Sequence, residues 1–223
     1  MCVIAVSQKG INQPSVPELR SMWNHNPHGS GYMVSRNNKV EIHKGFMVWD
    51  DFIRSVKEEH FSKDDSVIYH FRIATQGGIN PEMTHPFPLA SDYSILSAFD
   101  VLCDIGIAHN GIIPLTSNVD SDYSDTAIFI SQYMTKLIRS QKDFFDTDIH
   151  TIISELACSK LAMMNKYGDI ITIGKFYNHN GILLSNENHL FPFTYPNVKN
   201  FNNSHSEGTE SYVKGDYKKC IAY

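Results

Sequence analysis

The 223-residue chain has only four cysteines, Cys2, Cys103, Cys158 and Cys220, and they lie far apart. With no C-x-x-C pair and no tight Cys/His cluster, neither a disulfide framework nor a structural zinc site is expected. Positive charge is also scarce: 19 Lys and Arg stand against 24 Asp and Glu, giving a net charge of −5. That leaves no electrostatic footprint for nucleic acid or an anionic membrane. No apolar run approaches the ~20 residues of a transmembrane helix. The apolar start is short and lacks the basic leader of a signal peptide, so a cytoplasmic protein is expected. A Walker-type loop, a dinucleotide fingerprint and internal repeats are all missing. The eleven histidines are scattered.

What is present is enough apolar and aromatic residue, 42% and 12%, for an ordered core. Val3–Ser7 reads as a buried strand. Pro17 opens a helix with Leu19, Met22 and Trp23 on its apolar face. Tyr32–Ser35 and Val40–Lys44 form a hairpin around Asn37-Asn38. Trp49, Phe52, Ile53 and Val56 recur at helical spacing. Ser66–Thr75 is a strand rich in β-branched and aromatic residues, and Tyr93–Ala98 and Ile105–His109 read as further strands. Asp125 is the predicted N-cap of a helix striped by Ile130, Tyr133, Met134, Leu137 and Ile138. A second helix carries Ile149, Ile152, Ile153, Leu156 and Ala157. Lys160–Asn165, Asp169–Gly174 and Gly181–Ser185 are predicted to close the pattern as an antiparallel meander.

Strands, then two adjacent helices, then strands is not the alternation of a parallel sheet. The order predicts an α+β protein with two antiparallel sheets between helix layers. One domain over residues 2–195 is expected, followed by an irregular arm over 196–223 rich in Asn, Ser, His and Gly.

Four short segments carry chemistry. Cys2 follows Met1; removing that methionine would leave a thiol and a free α-amine on one residue, with ordinary pKa values of about 8.5 and 7.7–8.0. Such a pair can be nucleophile and base together, although Cys2 also reads as a small hydrophobe opening an apolar run. The segment His70-Phe71-Arg72-Ile73-Ala74-Thr75-Gln76-Gly77 holds a cation in an apolar strand, which is either functional or a strand-edge charge. Asn110-Gly111 is a turn dipeptide within Ala108–Ile113. Asp125, in Ser124-Asp125-Thr126, serves a site or caps a helix.

Together these segments resemble the glutaminase domain of class II glutamine amidotransferases, which are N-terminal-nucleophile hydrolases. That family has a mature N-terminal Cys, an H-x-R-x-A-T-x-G strand, an H-N-G-I turn and an S-D-T-type helix start. All occur here in order. Thr84-His85-Pro86 matches the family's H-P, Asn26–Gly31 its early N-x-x-G-x-G turn, and the likeness spans about residues 2–190. The chain departs from the family at Val3, Gln76 and Ala127, and no synthetase, transferase or isomerase domain is expected behind the glutaminase-like region.

The resemblance implies a four-layer αββα sandwich and hydrolysis of the glutamine side-chain amide to glutamate and ammonia. Cys2 would attack, and Asn110 and Gly111 would hold the oxyanion. Arg72 would pair with the substrate α-carboxylate and Asp125 with its α-ammonium. Thr75, Gln76 and Gly77 would line the pocket, and His85 and His109 would be structural supports. No metal or organic cofactor is implied. Three readings stay open: a stand-alone glutaminase feeding an acceptor synthetase in trans, a γ-glutamyl amide hydrolase, and a silent binding module.

Overall fold

In a computed structural model, residues 2–74, 78–117 and 122–190 are described. The predicted C-terminal arm, and Cys220 with it, lies outside them. The strands are β1 (Val3–Ser7), β2 (Ser30–Arg36), β3 (Lys39–Phe46), β4 (Val67–Phe71), β5 (Phe87–Pro88), β6 (Asp100–Cys103), β7 (Ile105–Asn110), β8 (Lys160–Asn165), β9 (Ile170–Ile173), β10 (Tyr177–His179) and β11 (Ile182–Leu184). One sheet runs β10-β11-β1-β4-β2-β3-β6 and the other β5-β7-β8-β9, with every pairing antiparallel. The helices include α1 (Val16–His25), α2 (Trp49–Glu58), α3 (Tyr93–Ser97), α4 (Asp125–Phe129), α5 (Thr135–Leu137), α6 (Gln141–Phe144) and α7 (Thr147–Ala157).

Side-chain alternation along each strand sorts the apolar residues into three cores. Val3 and Ala5 of β1 face one way, into a cluster with Leu19, Met22 and Trp23 of α1 and Phe52 and Ile53 of α2. Ile4 and Val6 face the other way, against Ala108 of β7 and Ala162 and Met164 of β8. Ile105, Ile107, Leu161 and Met163 turn from that seam toward Phe129, Met134, Phe144, Ile153 and Ala157. The order is therefore helices, sheet, sheet, helices. Strands buried on both faces read as continuous apolar runs, as Val3–Val6 does.

Several expectations hold. Asn37 and Asn38 both adopt positive φ, 52° and 56°, and join β2 to β3 as a tight hairpin. Pro17 sits in the first turn of α1, which Ser15 and Glu18 close with a capping box. Four expectations fail. The strand expected over Ser66–Thr75 is β4, which ends at Phe71, so Arg72 lies just beyond it. Tyr93–Ala98 is not a strand: Asp92 accepts from the Ser94 N–H and starts α3, a local cap that overrides the apolar pattern. Asp125 is not the N-cap: Ser124 is, its Oγ accepting from Ala127 N at 3.1 Å. The last strands are not one meander. β8 and β9 belong to the second sheet, whereas β10 and β11 return to the first.

Glycine sets the closeness of the layers at two positions. A Cβ at Gly106 would meet the Met33 sulfur across the seam, with Val40 Cγ1 at 3.1 Å. A Cβ at Gly31 would meet the carbonyl oxygens of His85 and, at 2.7 Å, His43. A thioether tip can shift and paired backbone cannot, so Gly31→Ala should destabilise more than Gly106→Ala. Overpacking of this kind typically costs about 1–3 kcal/mol. Urea denaturation of the two variants checks the order; equal or reversed losses would refute the packing argument.

Candidate active site

The ladder of β1 with β4 pairs Val3 with Phe71 and Ile4 with His70. Its next step sets Cys2 beside Arg72. The Ile73 N–H donates to Cys2 Sγ at 3.4 Å, and the thiol donates to Ile73 O at 3.6 Å. Burial pushes the Cys2 thiol above its ordinary value, while the Ile73 N–H and the nearby Arg72 charge pull it down. Cys2 as a residue is neither fully buried nor exposed.

Arg72 follows β4, and the turn at 26–31 holds its backbone. Its N–H donates to Gly29 O at 2.8 Å, and its carbonyl accepts from His28 N at 2.9 Å. The His28 ring accepts from Ala74 N at 2.9 Å. Gly29 reaches this position at φ 112°, a region that favours glycine. The Arg72 side chain is buried and donates to Gly78 O at 3.0 Å. Burial disfavours its charge, and Cys2 and Asp125 both favour it. Cys2, Arg72 and Asp125 are thus within electrostatic reach of one another.

Asp125 opens α4. One carboxylate oxygen accepts from Ile113 N at 2.8 Å and the other from Thr126 N at 2.7 Å. The second oxygen also accepts from the Thr126 hydroxyl at 3.3 Å. The carboxylate therefore ties the loop after β7 to the helix start, and among the described residues the oxygen facing Ile113 N accepts that one bond.

Asn110 ends β7, where burial leaves its Oδ1 without a hydrogen-bond partner. Its Nδ2 donates to Ser185 Oγ at 2.8 Å. Ser185 Oγ also accepts from Ile4 N at 2.8 Å. The Ser185 O–H then finds no acceptor among the described residues. Rotating the Asn110 amide by half a turn would let Oδ1 accept that O–H and would release Nδ2 as a donor. Gly111 follows at φ 148°, and a Cβ there would meet Ser159 Cβ at 2.7 Å.

Thr75, Gln76 and Gly77 lie outside the described residues. Ser185 and Asn186 were missed by the sequence reading, although Asn186 Nδ2 donates to the Cys2 carbonyl. The available signal was a polar pair closing an apolar strand. The β1–β11 pairing that gives it meaning joins the two ends of the described chain.

Behind the site lies a column of buried imidazoles. The rings of His70 and His85 are 4.4 Å apart, and those of His85 and His109 6.1 Å. His70 Nε2 lies 3.0 Å from His109 O, while both His85 nitrogens lack partners. His109 bridges Thr126 Oγ1 and Ser159 Oγ, each at 2.8 Å, fastening β7 to α4 and to the turn before β8. Burial pushes His70 down to about 3, His109 to about 4, and His85 well below its usual range. Among the described residues no group of three His, Cys, Asp or Glu side chains could hold a metal ion, and no helix is long and apolar enough to cross a membrane.

These histidines make the fold acid-sensitive. Their folded pKa values lie below the unfolded value near 6.5, so above that pH neither state binds the proton. As pH falls below 6.5, the unfolded chain takes protons that the folded one refuses. Stability should drop by about 1.4 kcal/mol per pH unit for each histidine until the folded pKa is reached. Denaturant midpoints measured from pH 7 to 5 should fall steeply, and His85→Asn should flatten the slope. A pH-independent midpoint would refute the neutral column.

No protein-family model matches the chain, and no curated protein matches it.

Proposed function

We propose that the protein is an amidohydrolase of the class II glutamine amidotransferase kind, which uses Cys2 to cleave the side-chain amide of a glutamyl substrate. The observation that carries this reading is the convergence of Cys2, Arg72, Asp125 and Asn110 on one corner of a two-sheet sandwich. Helices, sheet, sheet, helices is also the layer order expected of an N-terminal-nucleophile hydrolase.

In this reading Met1 is removed and the Cys2 α-amine becomes the base. The thiol, pushed up by burial, rests protonated and needs that base. Sγ forms a bond to the γ-carbonyl carbon, and the carbonyl becomes an oxyanion. Asn110 Nδ2, freed by the amide rotation described above, and the Gly111 N–H donate to it. The C–N bond breaks as the amine returns the proton to departing ammonia. Water then attacks the thioester carbon, the S–C bond breaks, and glutamate leaves. Arg72 forms a planar fork on the α-carboxylate, and Asp125 uses its remaining acceptor capacity for the α-ammonium. The ammonia goes to water or to a partner synthetase in trans.

Ammonia release from glutamine by the purified protein is the direct test. Intact mass should show loss of one methionine, and an electrophilic glutamine analogue should label Cys2 with protection by glutamine. Active protein retaining Met1, or labelling at Cys103 or Cys158, would overturn the mechanism. Variants separate chemistry from binding. Asn110→Ala should lower kcat by about 10²–10³ with little change in KM. Arg72→Lys keeps charge but loses the fork, so it should chiefly raise KM. A silent Asn110→Ala in a folded protein would remove the oxyanion assignment.

A further inference from the structure

The chain crosses between sheets just beyond β9, and this crossing sets two lysines beside the same corner. Lys160 Nζ lies 5.3 Å from the centre of the Tyr177 ring and Lys175 Nζ 5.1 Å from it, both within cation–π reach. Neither lysine pairs with a carboxylate among the described residues. Lys160 donates to Ser185 O, the residue whose hydroxyl holds Asn110, and keeps further donor capacity. Burial and the neighbouring Lys175 charge both lower the Lys160 pKa. Two like charges held at one ring, without an acid, favour an arriving anion.

Strand order gives this pair a direction. In the sequence β10-β11-β1-β4, β4 and β11 end where β1 and β10 begin. Arg72 therefore continues one flank, Cys2 stands in the middle, Ser185 and Asn186 come next, and Lys175 precedes β10 on the far flank. The second sheet brings Asn110 opposite Lys160 at the same end. Neighbouring strands are about 4.8 Å apart. Arg72 is thus one interval from Cys2, which suits an α-carboxylate two methylenes beyond the reacting carbon. The start of β10 is two intervals away on the other side, about 10 Å, a gap that the long lysine stems shorten.

We propose that Lys160, Lys175 and Tyr177 form a subsite for a carboxylate on the amine half of the substrate, making γ-glutamyl amides of amino acids the preferred class. This rests on the reading that Cys2 attacks and Arg72 holds the α-carboxylate. Glutamine, whose leaving group is bare ammonia, has nothing to offer the two lysines. With a γ-glutamyl amino acid, the bond from Sγ to carbon forms and the amide C–N bond breaks. The thiol proton passes through the Cys2 α-amine to the departing amino group. Water then cleaves the thioester, returning a proton to sulfur and yielding glutamate and a free amino acid.

The test compares γ-glutamylglycine with γ-glutamylethylamide, which has the same secondary amide and no acid. The wild-type protein should prefer the glycine conjugate by about tenfold or more in kcat/KM, the size of one well-placed ionic contact. Lys175→Met should bring that ratio close to one, Lys175→Glu should invert it, and Lys175→Arg should keep it. Equal rates on the two amides, or a preference that survives Lys175→Met and Lys175→Glu, overturns the subsite. Calorimetric binding of both compounds to the Cys2→Ala variant separates this proposal from the reaction it rests on. Lysine-dependent preference there, with no turnover by the wild type, keeps the subsite and removes the hydrolase. Equal affinity removes the subsite even where turnover is seen.

Discussion

The register of β1 is the constraint on which the site depends. This strand is paired on both edges and buried on both faces, so each residue has one neighbour per side and one core to fill. A slip by one residue would swap Val3 and Ala5 with Ile4 and Val6 between the helix core and the seam. It would also turn Cys2 from the inter-sheet face to the helix face and move it from beside Arg72. The same strand reaches Asn110: the Ile4 N–H donates to the Ser185 hydroxyl that holds the Asn110 amide. Nucleophile, carboxylate partner and oxyanion donor are thus proposed along one ladder. Its specificity comes from apolar packing rather than from the site itself.

Buried cations show why Arg72 suits its position. Lys44 and Arg72 are both buried side chains, and burial disfavours the charge of each. Lys44 donates to Glu82 O and Leu96 O and lies 3.9 Å from the centre of the Phe87 ring, yet burial still lowers its pKa to about 7. At position 72 a lysine would be desolvated too, but Cys2 and Asp125 favour a cation there, so what lysine lacks is the planar fork rather than the charge. Guanidinium holds its proton under desolvation, and its planar fork carries five donors, one of which goes to Gly78 O. Arginine therefore suits the proposed α-carboxylate by the shape of its donor set, which residue charge alone does not express.

Much of this was legible where the signal is local. The Asn37-Asn38 hairpin, the Pro17 helix and the alternating cores follow from turn chemistry and periodicity. Tyr93–Ser97 misled because five apolar-leaning residues fit either period, and the deciding group was the Asp92 cap just outside them. Asp125 misled because Ser124 and Asp125 are both good caps, and only the tertiary bond to Ile113 N draws Asp125 inward. The return of the chain from β9 to β10 was invisible for another reason. No residue between Gly174 and Phe176 announces a change of sheet. Ser185, Asn186, Lys160 and Lys175 acquire their relation to Cys2 from that crossing and from the β1–β11 pairing, both of which join distant parts of the sequence.

The histidine column bears on which group takes the proton. A cysteine hydrolase commonly pairs its thiol with an imidazole, and three imidazoles lie behind this corner. All three are buried, pushed far down and committed to backbone or hydroxyl partners or to none. A base that titrates near 3 or 4 has little affinity for a thiol proton at neutral pH. Thirst for a proton near neutrality is instead an ordinary property of an α-amine, at about 7.7–8.0. Under the proposed mechanism the column can then only support the site sterically, and activity should follow the exposure of the Cys2 amine rather than the state of any histidine.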